Sequence, residues 1–134
     1  MRAIAVTAIL LALGAWGAGS AIPEPQTAVM PAGDAMRGAD IYESSCGGCH
    51  SLDANRIGPA HRGVVGRAAG SAPAYNYSPA LKASGIAWTP ENLDKWLSDP
   101  RGFVKGVKMG FRLNDPQLRA DVIAYLTEEG KKTP

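Results

Sequence analysis

Cys46-Gly47-Gly48-Cys49-His50 brings two thiols and an imidazole into one short stretch. A C-x-x-C followed at once by histidine is the attachment signature of a c-type haem. Thiols three positions apart can each add to one of the two vinyl groups on a porphyrin edge. The next residue then offers a ring nitrogen to the iron. Cys46 and Cys49 are the expected thioethers, and His50 is the expected proximal ligand. Other uses of C-x-x-C are weaker here. A dithiol redox centre should follow a strand of a βαβ unit, but Ala35 to Ser45 reads as helix. A zinc site needs four ligands, and only His61 remains as an obvious further donor. A disulfide is the last alternative, and a haem that takes both cysteines leaves none for it.

Downstream of the apolar N-terminal run, the candidates for a second axial ligand are Met30, Met36, Met109 and His61. Met30 falls in a Pro- and Gly-containing stretch, and Met36 sits on a helix better used for packing. His61 follows His50 by only 11 residues, a short path to the opposite face of a macrocycle. Met109 lies 59 residues downstream of His50, in Gly106-Val107-Lys108-Met109-Gly110-Phe111, an irregular loop able to cross to the far side. Its alternative use is as a gap-filling core methionine. That reach to the far side makes Met109 the preferred ligand, as a thioether on the iron.

The elements that must position these groups are helices separated by long loops. Asp34 caps a first helix to about Ser45, with Met36, Ala39, Ile41 and Tyr42 as candidate buried positions. Thr89-Pro90-Glu91 is a helix start, after which Leu93, Trp96 and Leu97 share a face and Pro100 stops the helix. Asp115-Pro116 opens a last helix with Leu118, Val122, Tyr125 and Leu126 as its apolar stripe, ending at Gly130. Ser51 to Ala87 shows no regular pattern over 37 residues. Such a loop counts against a compact domain unless a large apolar cofactor replaces the missing side-chain core.

The chain of 134 residues begins Met1-Arg2 and then runs without charge from Ala3 to Pro23, with Gly19-Ser20-Ala21 as a small-residue cleavage site. This reads as an export signal over residues 1–21, followed by a flexible tether over 22–34 and a domain over 35–130. An uncleaved membrane anchor is the alternative, since a spanning helix needs about 20 residues. Either arrangement places the domain outside the cytoplasm, in the periplasm. Cleavage would leave 13 Lys+Arg against 12 Asp+Glu. So balanced a charge argues against a nucleic-acid partner. Arg101, Lys105, Lys108 and Arg112 cluster in one segment while Glu128 and Glu129 sit near the other end. That asymmetry would steer the molecule toward an acidic partner, unless the segment is an ordinary solvated loop.

From about Gly38 to Leu126 the chain resembles a class I mono-haem cytochrome c of the mitochondrial and bacterial type. Besides Cys46 to His50, Gly58-Pro59 resembles the turn whose proline carbonyl accepts from the non-ligating nitrogen of the proximal histidine. Gly63-Val64-Val65-Gly66-Arg67 is similar to the segment that brings an arginine toward a haem propionate. Tyr77 and Trp88 match positions that hydrogen-bond propionates, and Lys108-Met109 with Phe111 matches the methionine loop and its aromatic neighbour. Gly38 and Tyr42 match first-helix residues that pack on the last helix, here through Tyr125. There are three departures. Val107 stands where a threonine usually bonds a propionate, Trp96 where a tyrosine usually donates to the methionine sulfur, and Leu81 where a polar residue usually helps hold an internal water.

The resemblance implies an all-α fold of about 4–5 helices with long loops around one covalently bound haem c. It implies His50 and Met109 on the iron, with Cys46, Cys49, Pro59, Arg67, Tyr77, Trp88, Trp96 and Phe111 around the ring. The expected protein is not an enzyme but a monomeric one-electron carrier of a respiratory or related chain. Its donor would be a quinol:cytochrome c oxidoreductase or a substrate dehydrogenase. Its acceptor would be a terminal oxidase, a reductase or a photosynthetic reaction centre. Two other functions stay open. Without Met109 the iron would be five-coordinate, giving a gas-binding or peroxidase-like protein. Members specialised that way usually carry the motif near the C-terminus, whereas 84 residues follow His50 here. The other is a dedicated haem subunit of a periplasmic dehydrogenase.

Overall fold

Five short sequence signals, each a Ser, Thr or Asp ahead of a helical run, become five helix caps. The computed structural model describes residues 29–132. Within them the helices are α1 (Ala35–Ile41), α2 (Pro79–Lys82), α3 (Pro90–Ser98), α4 (Pro100–Phe103) and α5 (Pro116–Lys131). Their N-caps are Asp34, Ser78, Thr89, Asp99 and Asp115, and each side chain accepts from a backbone N–H of the first turn. A cap of this kind stabilises its helix by about 1 kcal/mol. Proline opens α2 to α5, where its missing N–H costs nothing and its fixed φ suits the helix.

Two of these elements depart from expectation. The first helix does not stay α-helical to Ser45: α1 ends at Ile41, and one π turn, Tyr42–Cys46, carries the chain into the haem motif. The 37 residues from Ser51 to Ala87 are not wholly irregular either. Ser78-Pro79 starts α2, and Ala68 and Ala87 form an antiparallel bridge. Around it, Ala69 N donates to Ile86 O and Trp88 N to Arg67 O, both at 2.8 Å. These bonds are long-range, so no local pattern announces them. Pro100 ends α3 as expected and also begins α4.

α1 and α5 pack closely because residue 38 is glycine. A methyl group there would overlap the carbonyl of Asp121 and press on Cβ of Tyr125. Tyr42 lies with its ring 5.4 Å from that of Tyr125. Asp121 is wholly buried at this contact. Its carboxylate accepts from Asp34 N at 2.8 Å, from Arg37 Nε at 3.0 Å and from Gln117 Nε2 at 3.0 Å. Hydrogen bonds from Arg37 lead the causes that hold its pKa down to about 2.

The α1 and α5 stripes differ in detail from the sequence reading. Met36 is 84% exposed and Leu118 37% exposed, whereas Tyr42, Val122, Ile123 and Leu126 are buried. Met36 and Leu118 lie one helical step off the α1/α5 contact, which Gly38 and Asp121 centre instead. On α3, Leu93, Trp96 and Leu97 are buried as their spacing predicts. The expected export signal and residues 22–28 of the expected tether lie outside the described residues. Of the rest of that stretch, Met30 packs against the core and Gln117 Nε2 donates to Ala32 O at 2.8 Å. Among the described residues no helix is long and apolar enough to cross a membrane.

Candidate haem site

The loops and the inner faces of α3 and α5 enclose one apolar cavity of about 380 Å³. Cys46, Cys49, His50, Pro59, Arg67, Tyr77, Trp88, Trp96, Met109 and Phe111 all line it, so it gathers every candidate site residue. Leu93, Leu97, Val122 and Leu126 supply its floor. They were legible only as apolar stripes, with no sign that they face a cavity rather than one another.

His50 enters at one side. Its backbone N–H donates to Cys46 O at 2.9 Å, closing the turn that holds both thiols near the imidazole. Its Nδ1 lies 2.9 Å from Pro59 O. That contact makes Nδ1 the donor and leaves Nε2 as the free lone pair. Gly58 lies directly under the ring, where any Cβ would run into the imidazole. Burial, partly offset by the Pro59 bond, lowers the pKa of His50, so the ring is neutral and able to ligate. Burial also pushes the Cys46 thiol up to about 11, helped by neighbouring Cys49. Cys46 is half-buried and Cys49 exposed, which puts one edge of the cavity at the surface.

Met109 is half-buried in the extended segment after α4. Two cross-links hold that segment: Lys108 Nζ donates to Asn76 O at 2.6 Å, and Leu113 N to Leu97 O at 2.8 Å. Phe111 is 43% exposed at the mouth. Trp88 and Trp96 are buried edge to face, with ring centroids 5.1 Å apart. The Tyr77 hydroxyl accepts from Ala72 N at 3.3 Å. Val107 and Leu81, two of the departures noted above, are buried and line the cavity as apolar wall.

Arg67 is no surface arginine. Its Nη2 donates to Ala60 O at 3.0 Å, while Nε is buried with no protein partner. A buried, unpaired guanidinium nitrogen is costly. On the wall of an apolar cavity it matches a group that brings its own carboxylates. Together with the vinyl-reactive thiols and the free His50 Nε2, this orphaned donor fits a haem.

The family model described as Cytochrome c matches residues 35–128. The chain belongs to the cytochrome c family. It is 46% identical over 99 residues to cytochrome c2 of Rhodopila globiformis, covering 72% of this chain and 93% of that one. It is 41% identical over 103 residues to cytochrome c of Arabidopsis thaliana, covering 74% and 92%. Among solved structures, cytochrome cH from Methylobacterium extorquens aligns with a TM-score of 0.69 at 42% identity, over 72% of this chain and 99% of that one. The fold is therefore that of a class I mono-haem cytochrome c, and the cofactor is a covalently bound haem c, with Cys46 and Cys49 in place for attachment. Electron transfer is the function of this cytochrome c.

The charged segments need one correction. Arg101, Lys105, Lys108 and Arg112 are all exposed, but Arg112 pairs with Asp99 at 2.6 Å and Lys108 is held by Asn76. Arg101 and Lys105 make no ion pair among the described residues. The opposing acidic end is not bare. Glu128 pairs with Lys131, and Glu129 is buried between Arg62 and Lys132. The charge asymmetry is thus weaker than the residue order suggests. The sequence reading also set His61 aside without finding its neighbour. Its ring stacks on His50 with centroids 4.0 Å apart.

Proposed function

We propose that this cytochrome is a one-electron carrier of the periplasm, with His50 and Met109 as the two axial ligands of its iron. The observation that carries this reading is that the two side chains line one apolar cavity while His50 keeps only Nε2 free. An imidazole and a thioether leave the haem a reversible one-electron couple and no site for a substrate. Around it this chain supplies a dry wall of Leu, Val and Trp, which disfavours the extra charge of the ferric state. The thioether acts in the same direction, so the potential is positive. Arg67, Tyr77 and Trp88 orient the propionates, and Pro59 fixes the His50 ring.

Electrons enter and leave at the exposed edge beside Cys49, where Ile57 and Phe111 give an apolar rim. The exposed cations Arg101 and Lys105 would complement an acidic partner. A quinol oxidoreductase or a dehydrogenase on the donor side, and an oxidase, reductase or photosynthetic centre on the acceptor side, fit a small carrier of this kind. The charge-free run after Met1-Arg2 supports export.

The test is the absorption spectrum of the ferric protein made with its haem-attachment machinery. The weak far-red band of methionine-ligated haem is expected in wild type and lost in Met109→Ala, with a fall in potential. Absence of the band from wild type, with CO binding to the reduced form, would make this an open-site haem protein instead.

A further inference from the structure

His61 lies inside the cavity wall but takes no part in the function proposed above. Its ring faces that of His50 at a centroid distance of 4.0 Å and an interplanar angle of 22°, a stacked pair. Its Nδ1 lies 3.2 Å from the hydroxyl of buried Tyr42, which in turn packs on Tyr125 of α5. One face of the His50 imidazole is therefore fixed through a chain of contacts running back to the α1–α5 pair. Pro59 O holds its Nδ1 edge, and Gly58 leaves the room it needs. His61 is on the same side as His50, so it is no rival for the far axial position.

We propose that His61 is a positioning and tuning residue for the electron carrier: its ring sets the plane of the His50 imidazole and lowers the potential of the iron. This rests on His50 being the proximal ligand. The physical reason is that iron draws electron density from a bound imidazole, more so when ferric. An aromatic ring stacked on that imidazole returns density through its π face and stabilises the ferric state more than an aliphatic side chain would. Removing the ring should therefore favour reduction. It should also let the His50 ring turn as far as its hydrogen bond to Pro59 O allows.

His61→Leu, in the haem-loaded protein, is expected to raise the ratio of reduced to oxidised protein about threefold at a fixed ambient potential. At 59 mV per tenfold for one electron this is about 28 mV. The ferric NMR spectrum should change with it, because the spread of the haem-methyl shifts follows the plane of the axial imidazole. His61→Phe keeps a ring against His50 and should retain the wild-type haem-methyl pattern. Tyr42→Phe removes only the hydroxyl at His61 Nδ1 and should move both readings in the direction of Leu, by less. If His61→Leu does not fold, the Phe variants decide. An unchanged potential and haem-methyl pattern in the Leu variant, or in Tyr42→Phe where that stands alone, would overturn the inference. A wild-type ferric spectrum with no signals from a bound histidine would instead overturn the ligand assignment on which it rests.

Discussion

Along the α1–α5 contact the buried polar groups are answered from within the chain, Asp121 by Asp34, Arg37 and Gln117. Around the cavity they are not: Arg67 Nε is buried without a partner, and some 380 Å³ of apolar space separates α3 and α5 from the loops. The first region is complete as a piece of protein. The second would be completed by the cofactor, whose ring would replace side-chain packing and whose carboxylates would answer Arg67. A small domain can tolerate so much loop on that side because the haem serves as its core.

The largest effect should come from withholding the haem. At about 24 cal/mol per Å³, a void of this size represents up to about 9 kcal/mol, comparable with the whole stability of a small domain. Chain produced without haem attachment is expected to lose cooperative thermal unfolding by circular dichroism while keeping part of its helical signal. A sharp transition at the temperature of the haem-loaded protein would show that the cavity side stands on its own.

An intermediate effect is expected at the other region. Asp121→Asn should cost about 2 kcal/mol at pH 7, since it removes the charge to which Arg37 and the Asp34 N–H donate. The folded-state pKa lies below the ordinary 3.8, at about 2. The carboxylate therefore stabilises the fold above its ordinary pKa, and this stability is lost as pH falls from about 4 through about 2. Urea titrations of wild type and variant should diverge at pH 7 and converge toward pH 2. A constant gap across that range would mean that the charge of Asp121 is not what holds the corner.

The smallest effect is a gain on the cavity side. Ala74 has φ of +55°, a left-handed conformation that costs an L-residue about 1–2 kcal/mol. It precedes Tyr75, whose hydroxyl donates to Ile57 O at 2.7 Å at the rim. Ala74→Gly should stabilise the protein by about 0.5–1 kcal/mol after the added freedom of the unfolded chain is counted. The midpoint of denaturant unfolding should rise. A fall would show that the Ala74 side chain contributes packing that outweighs its backbone strain.

Much of both regions could be read without coordinates. The caps of α1, α3 and α5, the proline starts of α3 and α5, the α3 face and the thiol–imidazole motif each depend on residues within a few positions of one another, so local spacing carries them. Met36 and Leu118 show where that reading stops. Both have the right character for a buried stripe, yet the approach permitted by Gly38 turned the α1/α5 contact elsewhere. The bridge between Ala68 and Ala87 and the one-turn α2 were missed for a similar reason. Each is too short to have a period, and the bridge is made by its partner.

By itself the amino-acid sequence pointed to a haem held through Cys46 and Cys49, because the two thiols at that spacing are followed at once by an imidazole. It also determined where α1, α3 and α5 begin, because a cap acts on backbone N–H groups two or three residues away. Only the tertiary structure decided that Arg67 is buried with a free donor and that His61 stacks on His50. Only there, too, did Glu129 become the buried partner of Arg62 and Lys132. Those outcomes depend mostly on contacts between segments far apart in the chain, whose distances no local pattern encodes.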